Sequence, residues 1–175
     1  MDQALKAALT TLFMAAALVD LAMGNEHLLH VTEVTEGVNW IYLPAGLRMC
    51  YLLVLPAQGT VAIFIATLIL AARDPSLTPF SVVANAVVTS LGPLLARTVA
   101  IQRLGLQRNL ENLDTRMLLV LAVVFGVFST SLHQAFFSAI GRESAFLLML
   151  IGDTLGCLLC LYGLKGLAML WRRWA

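Results

Sequence analysis

Charge is the scarcest property of this chain, since Asp, Glu, Lys and Arg make up 12% of its 175 residues, about half the share of an average globular domain. Eleven basic residues against ten acidic ones leave a net charge of +1, which excludes the basic field that nucleic-acid binding uses. Cysteine is scarce as well. Cys50, Cys157 and Cys160 all fall in apolar stretches, so they draw neither a disulfide framework nor a four-thiolate zinc site and read as small core residues. There is no Gly-rich phosphate loop, no low-complexity tract and no internal repeat. No polar stretch is long enough to form a kinase, cyclase or DNA-binding domain. Apolar residues fill the space these absences leave, at 60% of the chain with a mean hydropathy of +0.88. A soluble fold of about 150 residues buries only about 70% of the surface its unfolded chain exposes. The expectation is therefore one integral membrane domain over residues 1–175, with the lipid bilayer as its solvent.

Six apolar runs stand out: Leu5 to Met23, Val38 to Leu55, Ala57 to Ala72, Phe80 to Ile101, Met117 to Ile140 and Ala145 to Leu170. A hydrocarbon core of about 30 Å takes roughly 20 helical residues, which four of the runs supply. The second and third are short, meet at Pro56, and the second is interrupted by Pro44 and Arg48. The predicted fold is an all-α polytopic helical bundle of about six spans, with the second segment broken or re-entrant near Pro44. Such a break is tolerated where protein or a cavity covers it. The first run lacks a small-residue cleavage site and reads as a retained span. With the N-terminus inside, Lys6, Arg97, Arg103, Arg108, Arg116, Lys165, Arg172 and Arg173 fall on the cytoplasmic side and only Arg73 and Arg142 outside. That bias predicts two cytoplasmic termini in a cell inner membrane.

Ionisable residues inside spans are costly and turn toward a bundle interior or a cavity. Helix rise places Arg48 about 15 Å below the outer surface, His133 about 11 Å, Asp153 about 12 Å, Asn85 about 8 Å and Thr89 about 14 Å. Four segments thus put polar groups in one outer layer. It reads either as a ligand pocket, charged by Arg48 and Asp153 and hydrogen-bonded by His133, Asn85 and Thr89, or as a structural pair that holds helices in register. Asp20 lies near the outer end of the first run, where it is expected to reach water.

Bis-histidine haem would need a second histidine at the depth of His133, and the only others, His27 and His30, lie in the first loop. That loop reads Glu26-His27-x-x-His30-x-x-Glu33-x-x-Glu36, a spacing that drifts around a helix and matches no standard ligand set. No metal and no cofactor is expected. No Ser/His/Asp or Cys/His nucleophile set can be drawn, so an enzyme is not expected.

The stretch Asn39-Trp40-Ile41-Tyr42-Leu43-Pro44-Ala45-Gly46-Leu47-Arg48 resembles the Pro-x-Gly element that follows the first span in MASE1-type integral membrane sensor domains. Gly152-Asp153-Thr154-Leu155-Gly156 resembles that family's Gly-Asp-x-x-Gly element, and Ser90 to Gly105 its fourth-span pattern, with Gly92 near the place of an acidic residue. The resemblance implies a bacterial sensory module in which Pro44, Gly46, Gly152, Asp153 and Gly156 are the motif residues. Members of that family are normally fused to kinase or cyclase output domains. No such domain occurs in this chain, so signalling is expected through a separate membrane or signalling protein, with a homo-oligomer as a further possibility.

Physical chemistry gives these residues roles without the family. Pro44 removes a backbone donor and is expected to bend the second segment. Gly46 permits close backbone approach, and Gly152 with Gly156 forms a Gly-x-x-x-Gly face for close helix contact. Two other functions fit the same sequence. One is the substrate-binding membrane subunit of a transporter, docking through Ala4, Ala8 and Ala15. The other is a structural accessory subunit of a membrane complex.

Overall fold

The computed structural model describes residues 2–28, 33–35, 38–142 and 145–174, except for the side chains of 33–39 and 167–174. Its elements run α1 (Gln3–Leu28), β1 (Glu33–Thr35), β2 (Val38–Asn39), α2 (Leu43–Val54), α3 (Pro56–Ala71), α4 (Pro79–Arg103), α5 (Thr115–Ala139) and α6 (Phe146–Trp174). The two strand fragments form one short antiparallel pair. Otherwise the regular structure among the described residues is helical. Each of the six apolar runs contains a helix, the second only from Leu43 onward after β2, because a segment with no water to bond its backbone must satisfy every N–H and C=O internally. Four helices, α1, α4, α5 and α6, are long and apolar enough to cross a membrane. The other two are shorter.

The break expected near Pro44 lies elsewhere. Pro44 sits in the first turn of α2, where a missing N–H costs nothing and the fixed φ favours a helix. The corner comes at Leu55, the single residue between α2 and Pro56 at the start of α3. There the chain doubles back so sharply that a Cβ on Gly59 would lie 2.9 Å from the Tyr51 carbonyl carbon. Residues eight apart on a straight helix would be separated by about 12 Å. The second segment is thus one limb of a helical hairpin.

The first limb, α2, sits at the centre of the bundle, while α3 leaves Val61 and Ile69 exposed. Met49, Cys50 and Leu53 of α2 pack with Ala96, Ala100, Leu121, Phe125, Cys157 and Leu161 from α4, α5 and α6. The opposite side of α2 turns Leu52 toward Met14 and Leu18 of α1 and Ala62, Ile63 and Ala66 of α3. Ala15 joins this second core at 3% exposure, so it is not part of a free docking face on α1.

Candidate functional site

The chain enters α2 through an extended segment pressed against α6. Tyr42 N–H donates to the Gly152 carbonyl at 3.2 Å, Leu43 N–H donates to Asn25 Oδ1 of α1 at 3.0 Å, and the Cys160 thiol donates to the Leu43 carbonyl at 3.3 Å. Glycine makes this approach possible. A Cβ on Gly156 would overlap the Tyr42 carbonyl, and one on Gly46 would meet the Gly156 oxygen at 2.5 Å and overlap the Cys160 Cβ. The Gly152 and Gly156 face therefore receives the extended backbone before α2 as well as the first turns of α2 itself. This seating carries Tyr42 and Arg48 into the bundle.

All five residues of the expected polar layer line one cavity of about 180 Å³. Arg48 comes from α2, Asn85 and Thr89 from α4, His133 from α5 and Asp153 from α6. Glu26, Tyr42, Thr67, Leu70, Ala71, Phe137 and Met149 complete the wall. The contributing positions lie toward the C-terminal ends of α1, α3 and α5 and toward the N-terminal ends of α2, α4 and α6. The six helices therefore alternate in direction, and the cavity occupies one end of the bundle.

Arg48 and Asp153 are 6% and 5% exposed. No ion pair within 4.0 Å joins them; the one such pair among the described residues is Arg142 with Asp74. Arg48 is held by Tyr42 instead. Its Nη2 donates to the Tyr42 hydroxyl at 3.0 Å, and its guanidinium carbon stands 5.2 Å from the centre of that ring, a cation–π distance. Arg48 Nε and Thr67 Oγ1 are buried without a hydrogen-bond partner. Asp153 has Ser129 of α5 as its neighbour.

His133 has a polar neighbour at each ring nitrogen. Nδ1 lies 2.8 Å from the Ser129 carbonyl and therefore carries the proton in the neutral ring. Nε2 lies 3.2 Å from Thr89 Oγ1, whose single proton is shared between that nitrogen and the Asn85 carbonyl at 2.8 Å. These contacts bind α4 to α5 along one wall. The arrangement offers a fixed cation, a carboxyl and several hydrogen-bonding groups, backed by apolar surface from Leu70, Phe137 and Met149.

Tyr42, Glu26 and Thr67 were not singled out for this site. Tyr42 lies inside the motif stretch, Glu26 inside the acidic and histidine run, and Thr67 is a lone hydroxyl in an apolar helix. Their convergence depends on the α2–α3 fold-back. Asp20 is exposed on the surface of α1, which continues two turns beyond it to Leu28. Of the first-loop run, His30 and Glu36 lie outside the described residues, as does the Glu33 side chain. Among the described residues no three His, Cys, Asp or Glu side chains group as a metal site.

A surface clamp closes the same end of the bundle. Arg142 Nη2 donates to Asp74 Oδ2 at 2.8 Å and to the Ser76 hydroxyl, tying the α3–α4 turn to the end of α5. The Ser76 hydroxyl, then Arg142, hold the Asp74 carboxyl down at about 2. A depressed folded-state value adds stability that is complete above the unfolded carboxyl range of about 3.9 and is lost as pH falls through the folded value. The melting-temperature gap between wild type and Asp74→Asn is therefore expected to be small, as for other exposed pairs, and constant from pH 7 to 5. It should close between pH 4 and 2. A gap that widens on acidification would contradict the clamp.

No family model matches the chain, and no curated protein or solved structure does so.

Proposed function

We propose that this chain is a MASE1-like sensory or ligand-binding membrane module, taking a small polar molecule into the cavity and passing the change to a separate protein. The observation that carries this reading is the cavity itself. Two side chains of opposite charge, each about 95% buried, face it without pairing with each other. A purely structural pair would close in low dielectric, where attraction at contact is strongest. A site that must admit a charged guest keeps its groups apart. Native mass spectrometry of the protein in mild detergent is expected to show a bound small molecule that Arg48→Gln releases. A protein that carries nothing and is not stabilised by any small molecule would end this reading.

The cavity opens to the outer face in this proposal. Lys6, Arg97, Arg103, Arg108, Arg116 and Lys165 all lie toward the opposite end of the bundle, and the basic bias marks that end as cytoplasmic. Alternating helix directions put both chain ends there. The same result follows whether α2 and α3 cross fully or only dip, so terminal reporters do not separate the two cases.

The hairpin is proposed to be re-entrant. Its longer limb has 16 residues, about 24 Å of helix, against a core of about 30 Å. In a cysteine-free background, Ala57→Cys at the tip should resist an impermeant maleimide added from the cytoplasmic side, while Asn109→Cys in the α4–α5 loop reacts. Equal rates would establish six full crossings. In the transporter-subunit reading Ala4 and Ala8, which are exposed, would carry the docking face without the buried Ala15, and the accessory-subunit reading assigns no purpose to the cavity.

A further inference from the structure

Resting on the pocket reading above, we propose that the guest is a small zwitterion of the α-amino-acid class, its carboxylate set against Arg48 and its ammonium against Asp153. The two protein charges belong to different helices and are held apart. Arg48 is fixed on Tyr42 by a 3.0 Å hydrogen bond and by stacking at 5.2 Å, so it cannot swing to Asp153 without losing both contacts. Its Nε nevertheless has no partner, which leaves donor capacity suited to a planar carboxylate.

A guest of one sign fits poorly. An anion would meet Asp153, with Glu26 as a second carboxylate in the same wall, and a cation would meet Arg48. A molecule carrying both charges satisfies each side at once and adds no net charge to the site, and pairing of this kind is what makes a charge at membrane depth tolerable.

Size agrees with this class. An apolar cavity of about 150 Å³ admits benzene, so about 180 Å³ accepts a molecule of that order. Apolar wall at Leu70, Phe137 and Met149 suits a short aliphatic side chain. Thr67, whose hydroxyl is buried without a partner, also lines the cavity.

The test uses the full chain in mild detergent after exhaustive exchange. Titration calorimetry is run with glycine, L-alanine, L-valine and L-leucine. The best binder is then compared with its decarboxylated amine and its deaminated acid, which for leucine are 3-methylbutylamine and 4-methylpentanoate. At least one amino acid is expected to bind, and both single-charge analogues at least about 30-fold more weakly, roughly 2 kcal/mol. Arg48→Gln should remove the preference of the site for the amino acid over the amine, and Asp153→Asn its preference over the acid. Each variant thus serves as the folding control for the other.

If the acid or the amine binds as well as the amino acid, the zwitterion inference is overturned while the pocket reading stands. If no amino acid binds, the inference is likewise overturned. Native mass spectrometry before exchange then decides the pocket reading: a retained molecule of another class preserves it, and an empty protein ends it too.

Discussion

Gly156→Ala is expected to be the most damaging single-methyl substitution in this protein, lowering stability by about 3 kcal/mol or more. The added Cβ would overlap the Tyr42 carbonyl and lie 3.0 Å from the Leu43 nitrogen. Neither atom can yield cheaply. The Tyr42 N–H is bonded to Gly152 and the Leu43 N–H to Asn25, so moving the segment breaks bonds whose buried donors then cost about 1–3 kcal/mol each, besides an overpacking cost of about 1–3 kcal/mol. Because this segment also positions Tyr42 and Arg48, ligand stabilisation should disappear together with stability. Gly163→Ala is the control, since nothing lies within 4 Å of its added Cβ and alanine favours the helix. Thermal melts in detergent check both. Equal melting temperatures for the two variants would remove the close approach of α2 and α6 from the account.

Arg48→Met is expected to do the reverse, leaving stability unchanged or raised while abolishing ligand-induced stabilisation. Arg48 is buried with one side-chain hydrogen bond and no carboxylate within ion-pair distance, and desolvation of a buried ion costs several kcal/mol. Methionine keeps the length and apolar stem of the side chain without that cost. Stability held below its optimum for the sake of a site is a common pattern. The double variant Arg48→Met with Asp153→Leu should remain folded and still fail to bind. A structural pair gives the opposite pattern: Arg48→Met would lose about 3–5 kcal/mol, and the double change would recover most of it. Both melting temperature and binding must therefore be measured on both variants and on the wild type.

Much of the site was legible before any coordinates, and the reason is depth. An ionisable or amide group inside an apolar run is conspicuous, and a helix advances by a constant rise. Counting residues from the outer end of each run was therefore enough to put Arg48, Asn85, Thr89, His133 and Asp153 in one layer. Counting cannot supply azimuth. Whether Arg48 reaches Asp153, or stacks on Tyr42 as it does, depends on which way each helix is rotated against its neighbours, and a single run does not record where those neighbours stand.

The sequence alone determined the class of the molecule and its helices. Low charge and high hydropathy exclude a soluble fold, and in an apolar solvent the backbone must bond to itself, so each of the six runs holds a helix, although α1 continues five residues past Met23 and α2 starts five residues after Val38. Only the tertiary structure decided that the second and third runs fold back on each other at Leu55, that Pro44 begins a helix instead of breaking one, and that Glu26, Tyr42 and Thr67 join the cavity wall. Those features arise from contacts between segments far apart in the chain. The seat for Tyr42 exists only when Gly46 and Gly156 meet, and helix rise along a single segment carries no record of that meeting.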